Sequence, residues 1–331
     1  MSVVYVIGDT ETSSIAFNDA IRYTREARVN HYPIIYLGDI LVSSNIDLSV
    51  SNILRLFGIL SIPIRPYLHP NSTIDDIKSS FSKLSRQKSL NSFGQYNRLY
   101  RQHRKYTVVL RDRTPIRTDH IAIQGYELNL ENPPNYIFLF GNKEMEFIHD
   151  MQSLKMGIVE EGIFRTCISY VHRDRRHTND LSISIENLNI ILTYLNLCYL
   201  FVVYKSIILS HIYANALAFK DIIVEEDHSR VFSKVICGHS RVYGRYFDKY
   251  NPDIEVYVLD ISCEPGNDVS NCIRIINDEP FFIPNTDIAR TILSSPMDVS
   301  ETFLNSKLIT KYPVITTEEF FTKKYVKNHQ Q

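Results

Sequence analysis

Five polar residues each stand directly behind a short apolar run. Val3–Ile7 leads into Gly8-Asp9, Pro33–Leu37 into Gly38-Asp39 and Tyr136–Phe140 into Gly141-Asn142. Ser206–Leu209 leads into Ser210-His211, and Val235–Cys237 into Gly238-His239. Two carboxylates, an amide and two imidazoles are oxygen and nitrogen donors of the kind that hold a divalent transition metal. Taken singly, each has an ordinary explanation. A Gly-Asp after a strand is a turn, and a solitary His is most often a hydrogen-bonded core residue. Five of them in chain order, each ending the same kind of run, form a pattern that the ordinary explanation does not supply.

The runs themselves say what must position these residues. They are short, β-branched and aromatic, with little alternation, as is a sixth, Glu255–Leu259 before Asp260. That composition predicts strands buried on both faces. Helical spacing follows the first three: Ile15, Ala16, Asp19, Ala20, Tyr23 and Ala27; then Ile53, Leu54, Phe57 and Ile59 behind caps at Asn45 or Asp47; then Met145, Phe147, Ile148 and Met151. Strand, polar turn and helix in repetition predict an α/β sheet, and such sheets collect ligands at the C-terminal ends of their strands.

The ordered segments Gly8-Asp9-Thr10-Glu11, Gly38-Asp39-Ile40, Gly141-Asn142-Lys143-Glu144, Ser210-His211 and Gly238-His239-Ser240-Arg241 resemble the motifs of the calcineurin-like metallophosphoesterase superfamily. The resemblance spans 1–65 and 135–265. It implies an αββα sandwich, two central mixed β-sheets flanked by helices, and hydrolysis of a phosphate ester. It further implies a divalent ion (Mn, Fe or Zn) on Asp39, Asn142, His211 and His239, with Asp39 as the residue two metals would share. Asp9 would serve the first metal and orient the attacking water. Four positions depart from the pattern. Glu11 and Arg241 stand where the family has first-metal histidines, Lys143 replaces the His of the third motif, and Val42-Ser43-Ser44 replaces Asp-Arg-Gly. Arg has no acceptor and cannot ligate a metal. The expectation is therefore one ion, a Glu11–Arg241 salt bridge in place of the other, and Lys143 and Arg241 holding phosphate.

About 100 residues separate the second and third motifs, far more than a strand–helix–strand connection needs. An insertion is expected over 66–134, with Val108–Leu110 and Ile121–Ile123 as strands of a hairpin or small subdomain. From Lys78 to Arg117 the chain carries eleven Lys and Arg against Asp112 alone, with Tyr96, Tyr100 and Tyr106 interleaved. Such a stretch suits nucleic acid, by phosphate contact and stacking, or an acidic protein. It is equally the composition of a solvated basic face. The second basic cluster, His172-Arg173-Asp174-Arg175-Arg176-His177, reads as a loop before a helix over 183–200. Residues 266–331 read as a peripheral closing segment with a frayed end at 323–327.

Composition narrows the field further. The chain has 331 residues, 44% hydrophobic and 22% charged, which is globular, and its formal net charge of −1 selects no partner. Five scattered cysteines without a CxxC pair argue against a disulfide framework or a structural zinc site. With an apolar strand at Ser2–Ile7 and no basic leader before it, a reducing cytoplasm is the expected setting. Ile190–Ser210 is interrupted by Thr193, Asn196 and Lys205, so a buried helix and a strand are expected, not a membrane span. Two rival readings stay open. One is a scaffold that has lost catalysis and binds nucleic acid or protein through the basic insertion. The other is a DEDD-type 3′-5′ exonuclease, which Asp9 and Glu11 in Val4–Thr12 resemble, although no second motif follows. A dinucleotide-binding fold is disfavoured because no GxGxxG follows the first strand.

Overall fold

The computed structural model describes residues 2–10, 14–41, 45–88, 90, 106–110, 121–172, 175–239, 243–247, 253–259, 269–284 and 315–316. Glu11, Val42-Ser43-Ser44, Arg241, Asp260, most of the basic stretch beyond Lys88 and the tail at 323–327 lie outside these residues.

Two mixed sheets form the centre. In the first, β1 (Val3–Ile7), β2 (Ile34–Tyr36), β5 (Tyr136–Leu139) and β9 (Cys198–Tyr199) run parallel. β15 (Val269–Ile276) pairs antiparallel with β1, and β16 (Glu279–Pro284) with β15. The closing segment therefore begins as an integral part of this sheet. The second sheet has the order β17 (Ile315–Thr316), β13 (Tyr243–Phe247), β14 (Glu255–Leu259), β12 (Lys234–Cys237), β11 (Ile207–Ser210), β10 (Phe201–Tyr204), β4 (Ile121–Glu127), β3 (Tyr106–Leu110). β11, β12 and β14 are parallel to one another.

Period-two alternation sorts each strand between two interiors. Val4, Val6, Ile35, Leu37, Ile137 and Leu139 of the first sheet pack with Val202, Leu209, Ile236, Tyr257 and Leu259 of the second. Their alternates, such as Tyr5, Ile7, Tyr36 and Phe138, join the helices. Each buried aliphatic or aromatic side chain contributes about 1.5–3 kcal/mol, so slipping a strand by one residue, which exchanges its faces, is strongly disfavoured. The architecture is a mixed α/β sandwich.

The helices are α1 (Ser14–Val29), α2 (Ile46–Leu60), α3 (Ile74–Gln87), α4 (Asn142–Gln152), α5 (Ile185–Leu197) and α6 (Tyr213–Glu226). Asn45 caps α2 by accepting the Leu48 amide at 3.0 Å, as its residue type predicts. Leu54, one of the helix-spaced apolar residues, is 39% exposed. α5 is buried nearly all round and ends at Leu197, earlier than expected, because Cys198–Tyr199 leave it to pair with β5. Among the described residues no helix is long and apolar enough to cross a membrane.

Two further expectations change. The strands at 106–110 and 121–127 do not form a hairpin: β3 and β4 are parallel, and β4 continues the second sheet beside β10. The cluster at 172–177 is not a plain loop. β6 (Ile158–Glu160), β7 (Ile163–His172) and β8 (Arg175–Ser184) form a separate three-stranded sheet, with His172 opposite Arg175. Cross-strand pairing carries His172, Arg175, Arg176 and His177 into strand, while Arg173 and Asp174 lie outside the described residues. Lys88, counted with a solvated basic face, is 5% exposed, its amine 5.0 Å from the centre of the Tyr199 ring. Burial lowers its pKa.

Candidate metal centre

β2 ends because Gly38 takes φ +108, a conformation comfortable only for glycine. Asp39 follows at φ 52 and His239, behind β12, at φ 58. Left-handed backbone costs a residue with a side chain about 1–3 kcal/mol, and Asp and His tolerate it better than most. Both are site residues, held in this conformation by their surroundings. Asn142 opens α4 with Gly141 as its N-cap, and His211 follows β11. A side chain at Gly141 would run into Asp39 Oδ1 and the Asp39 amide, and one at Gly38 would strike the Gly141 backbone. The two turns of the first sheet meet only because both are glycine there.

Asp39, His211 and His239 each offer one ligand atom, and these lie within 4.8 Å of one another. The His rings are 5.0 Å apart between centroids. Asp39 and His211 are buried. His211 Nδ1 lies 3.0 Å from the Leu37 carbonyl oxygen, so Nδ1 carries a proton and donates it there. Its Nε2 lies 3.0 Å from Asn142 Oδ1 and 3.4 Å from Asp39 Oδ2. The orientation of the Asn142 amide is fixed by its Nδ2, which donates to Glu146 Oε1 at 3.3 Å. Asp39 Oδ1 accepts the Lys143 amide at 2.9 Å, on the favourable N-terminal end of α4. Asp39 Oδ2 takes no hydrogen bond from the described residues. An imidazole nitrogen, an amide oxygen and a carboxylate oxygen thus turn lone pairs toward one point. Such a group needs a cation at its centre, a proton or a metal ion, and its donor chemistry suits a divalent metal.

Electrostatics agree with a cation there. Burial alone would raise the Asp39 carboxyl, but His211, the Lys143 amide and His239 outweigh it and hold its pKa below the ordinary value. Burial alone would lower His211, but Asp39, and behind it Glu144, raise it.

Asp9 is 2% exposed at the end of β1, with its Cβ 3.6 Å from where a Gly238 side chain would begin. It borders the three donors without joining their 4.8 Å set. Lys143 brings its backbone amide to the site, while its amine sits 3.3 Å from Glu146 Oε2. Glu11 and Arg241 lie outside the described residues, and with them the salt bridge expected between them.

Three residues that hold the site were given no role in the sequence. Glu144, fully buried, accepts the amides of Asp39, Ile40 and Leu41, each at 2.9 Å, and of Gly141 at 2.8 Å. Its carboxyl is pushed up to about 7, by burial first and then by the Asp39 charge, with the Leu41 amide, His211 and the Asp39 amide opposing. Tyr194 donates its hydroxyl to Glu144 at 3.0 Å. Asn271, on β15, donates its side-chain amide to the Asp9 carbonyl. Only Glu144 left a trace: an acid three residues after a helix N-cap is half of a capping box. No family model matches the chain, nor does any curated protein or solved structure.

Proposed function

We propose that this chain is a divergent calcineurin-like metallophosphoesterase that holds one divalent ion, Mn, Fe or Zn, on Asp39, Asn142, His211 and His239. The observation that carries the reading is the convergence of lone pairs from His211 Nε2, Asn142 Oδ1 and Asp39 Oδ2, with His211 Nδ1 already committed to Leu37. A bound ion would supply the charge that polarises a phosphoryl oxygen and acidifies a water. The chain's own residues do the rest. Leu37 fixes the His211 tautomer, the α4 amide holds one Asp39 oxygen so that the other faces inward, and Asp9 stands beside them as the acceptor that orients water.

One observation favours a second reading, a scaffold that binds metal without turnover. Lys143 occupies the place of the motif's histidine, and its amine lies against Glu146. An amine so placed is a poor general acid. Elemental analysis after Mn loading and dialysis, with an Asp39→Ala, His239→Ala control, tests the first part. About one retained ion, lost in the control, is the expected result. Hydrolysis of a nitrophenyl phosphate monoester or diester by the loaded protein, lost in the same control, separates enzyme from scaffold. A protein that retains no more Mn than the control sinks both.

A further inference from the structure

We infer that Tyr194, which touches none of the metal donors, is a positioning residue for the metal centre and acts through Glu144. The inference rests on the metal reading above.

Glu144 has no exposed surface, and its two oxygens divide five donors between them. Oε2 takes the amides of Asp39 and Gly141, one from each turn that meets at the site. Oε1 takes the amides of Ile40 and Leu41 and the hydroxyl of Tyr194. The carboxylate is therefore a clamp across the ends of β2 and β5. It holds Asp39 in its left-handed conformation, and that conformation aims the Asp39 carboxylate at the Lys143 amide and His211.

The four amides come from the loops that the clamp must hold. Tyr194 alone comes from elsewhere. Its ring is 1% exposed and set edge-on to Phe138 with centroids 5.4 Å apart, so the direction of its hydroxyl is fixed by packing. A hydrogen bond from a separate helix, packed on other elements, fixes the rotation of the Glu144 carboxylate independently of the loops it clamps. α5 is itself anchored on another side. Asn189 takes the Leu68 amide at 2.7 Å and gives its own to the Leu68 carbonyl at 2.9 Å, and Thr193 takes the Arg65 amide at 3.0 Å. Tyr194 thus ties the metal loops to the segment that enters the long connection after β2.

Partners of this kind, one step removed from a metal ligand, typically change metal affinity by about 10–100-fold when lost. Tyr194 stands one step further out. The test is calorimetric titration of the full chain with Mn2+, beside thermal melting without metal. Tyr194→Phe keeps the ring and removes only the hydroxyl; Mn2+ affinity is expected to fall about 3- to 10-fold, with a small change in melting temperature. Glu144→Gln, which must turn an amide donor toward backbone donors, is expected to lose more than Tyr194→Phe. Leu188→Ala, a fully buried position on the same helix, supplies the structural control. It should lower the melting temperature more than Tyr194→Phe and leave Mn2+ affinity within about twofold. Tyr194→Phe binding Mn2+ as the native chain does overturns the inference, as does a Leu188→Ala variant that loses as much affinity. A native chain that binds Mn2+ no better than Asp39→Ala fails at the metal reading, and the clamp falls with it; that outcome is distinct because the native titration itself is flat.

Discussion

The two halves of the candidate centre are held in different ways. On the first sheet, Asp39 and Asn142 sit on turns drawn together by a buried carboxylate, with two glycines in close approach. On the second sheet, His211 and His239 rest on backbone contacts: His211 against the Leu37 carbonyl, and the Gly238 amide on the His211 carbonyl at 2.9 Å. The first half depends on one charge and on space too small for a methyl group. The second depends on strand register, which many residues secure together. A site can thus carry one brittle side and one tolerant side, and substitutions of the same type should have unlike effects across it.

The largest effect is expected at the brittle centre. Glu144→Ala strands four amides and a tyrosine hydroxyl, each worth about 1–3 kcal/mol when left unsatisfied. Allowing for water entry, urea unfolding should report a loss of at least about 3 kcal/mol; a loss below about 1 kcal/mol would contradict the brittle half. Next comes a matched pair. Gly141→Ala forces a methyl into Asp39 and should cost about 1–3 kcal/mol and abolish Mn2+ retention. Gly238→Ala meets its nearest atoms at 3.4–3.7 Å, an ordinary contact, and should stay within about 0.5 kcal/mol and keep its metal. Equal costs in the pair would erase the comparison. His239→Gly relieves left-handed strain while removing a donor. Its stability should hold or rise by up to about 1 kcal/mol, with Mn2+ binding at least tenfold weaker. A destabilised His239→Gly would show that the second half is not tolerant.

The smallest effect concerns pH, at the far end of α4. Asp150 has its carboxyl pushed up to about 6 by burial, with His149 opposing and Glu146 adding. Its folded pKa lies above the ordinary 3.8, so the folded state holds the proton more tightly than the unfolded chain. The resulting penalty is absent below that ordinary value, grows as pH rises, and is complete above the folded pKa. Asp150→Asn should therefore melt higher than the native chain at pH 7.5 and level with it at pH 4. An equal gap at both pH values would remove Asp150 from consideration.

Much of this was legible in the chain itself. Strands buried on both faces must be continuously apolar, so their ends stand out, and Asp39, Asn142, His211 and His239 were found because each ends such a run. What holds them was not legible. Glu144 shows in the sequence only as an acid three residues after the N-cap, and its partners at residues 39–41 are backbone amides, which leave no mark in residue type. Tyr194 lies on a helix buried nearly all round, where no periodicity distinguishes one buried residue from another. β3 and β4 read as a hairpin because strand residues alone do not distinguish parallel from antiparallel pairing. The 172–177 cluster read as loop because a strand of charged residues is specified by its partner across the ladder, not by an apolar pattern.

The placement of Asp9 has a consequence for how the chain is made. The Gly8 amide donates to the Asn271 carbonyl, the Asp9 amide to Leu259, and Asn271 in turn donates to Asp9. β1 itself pairs residue 3 with residue 276. On the ribosome, β1 is made well before β15, so the edge that β15 covers stays open while the residues between them are made. Such distant pairing predicts slow closure of the first sheet.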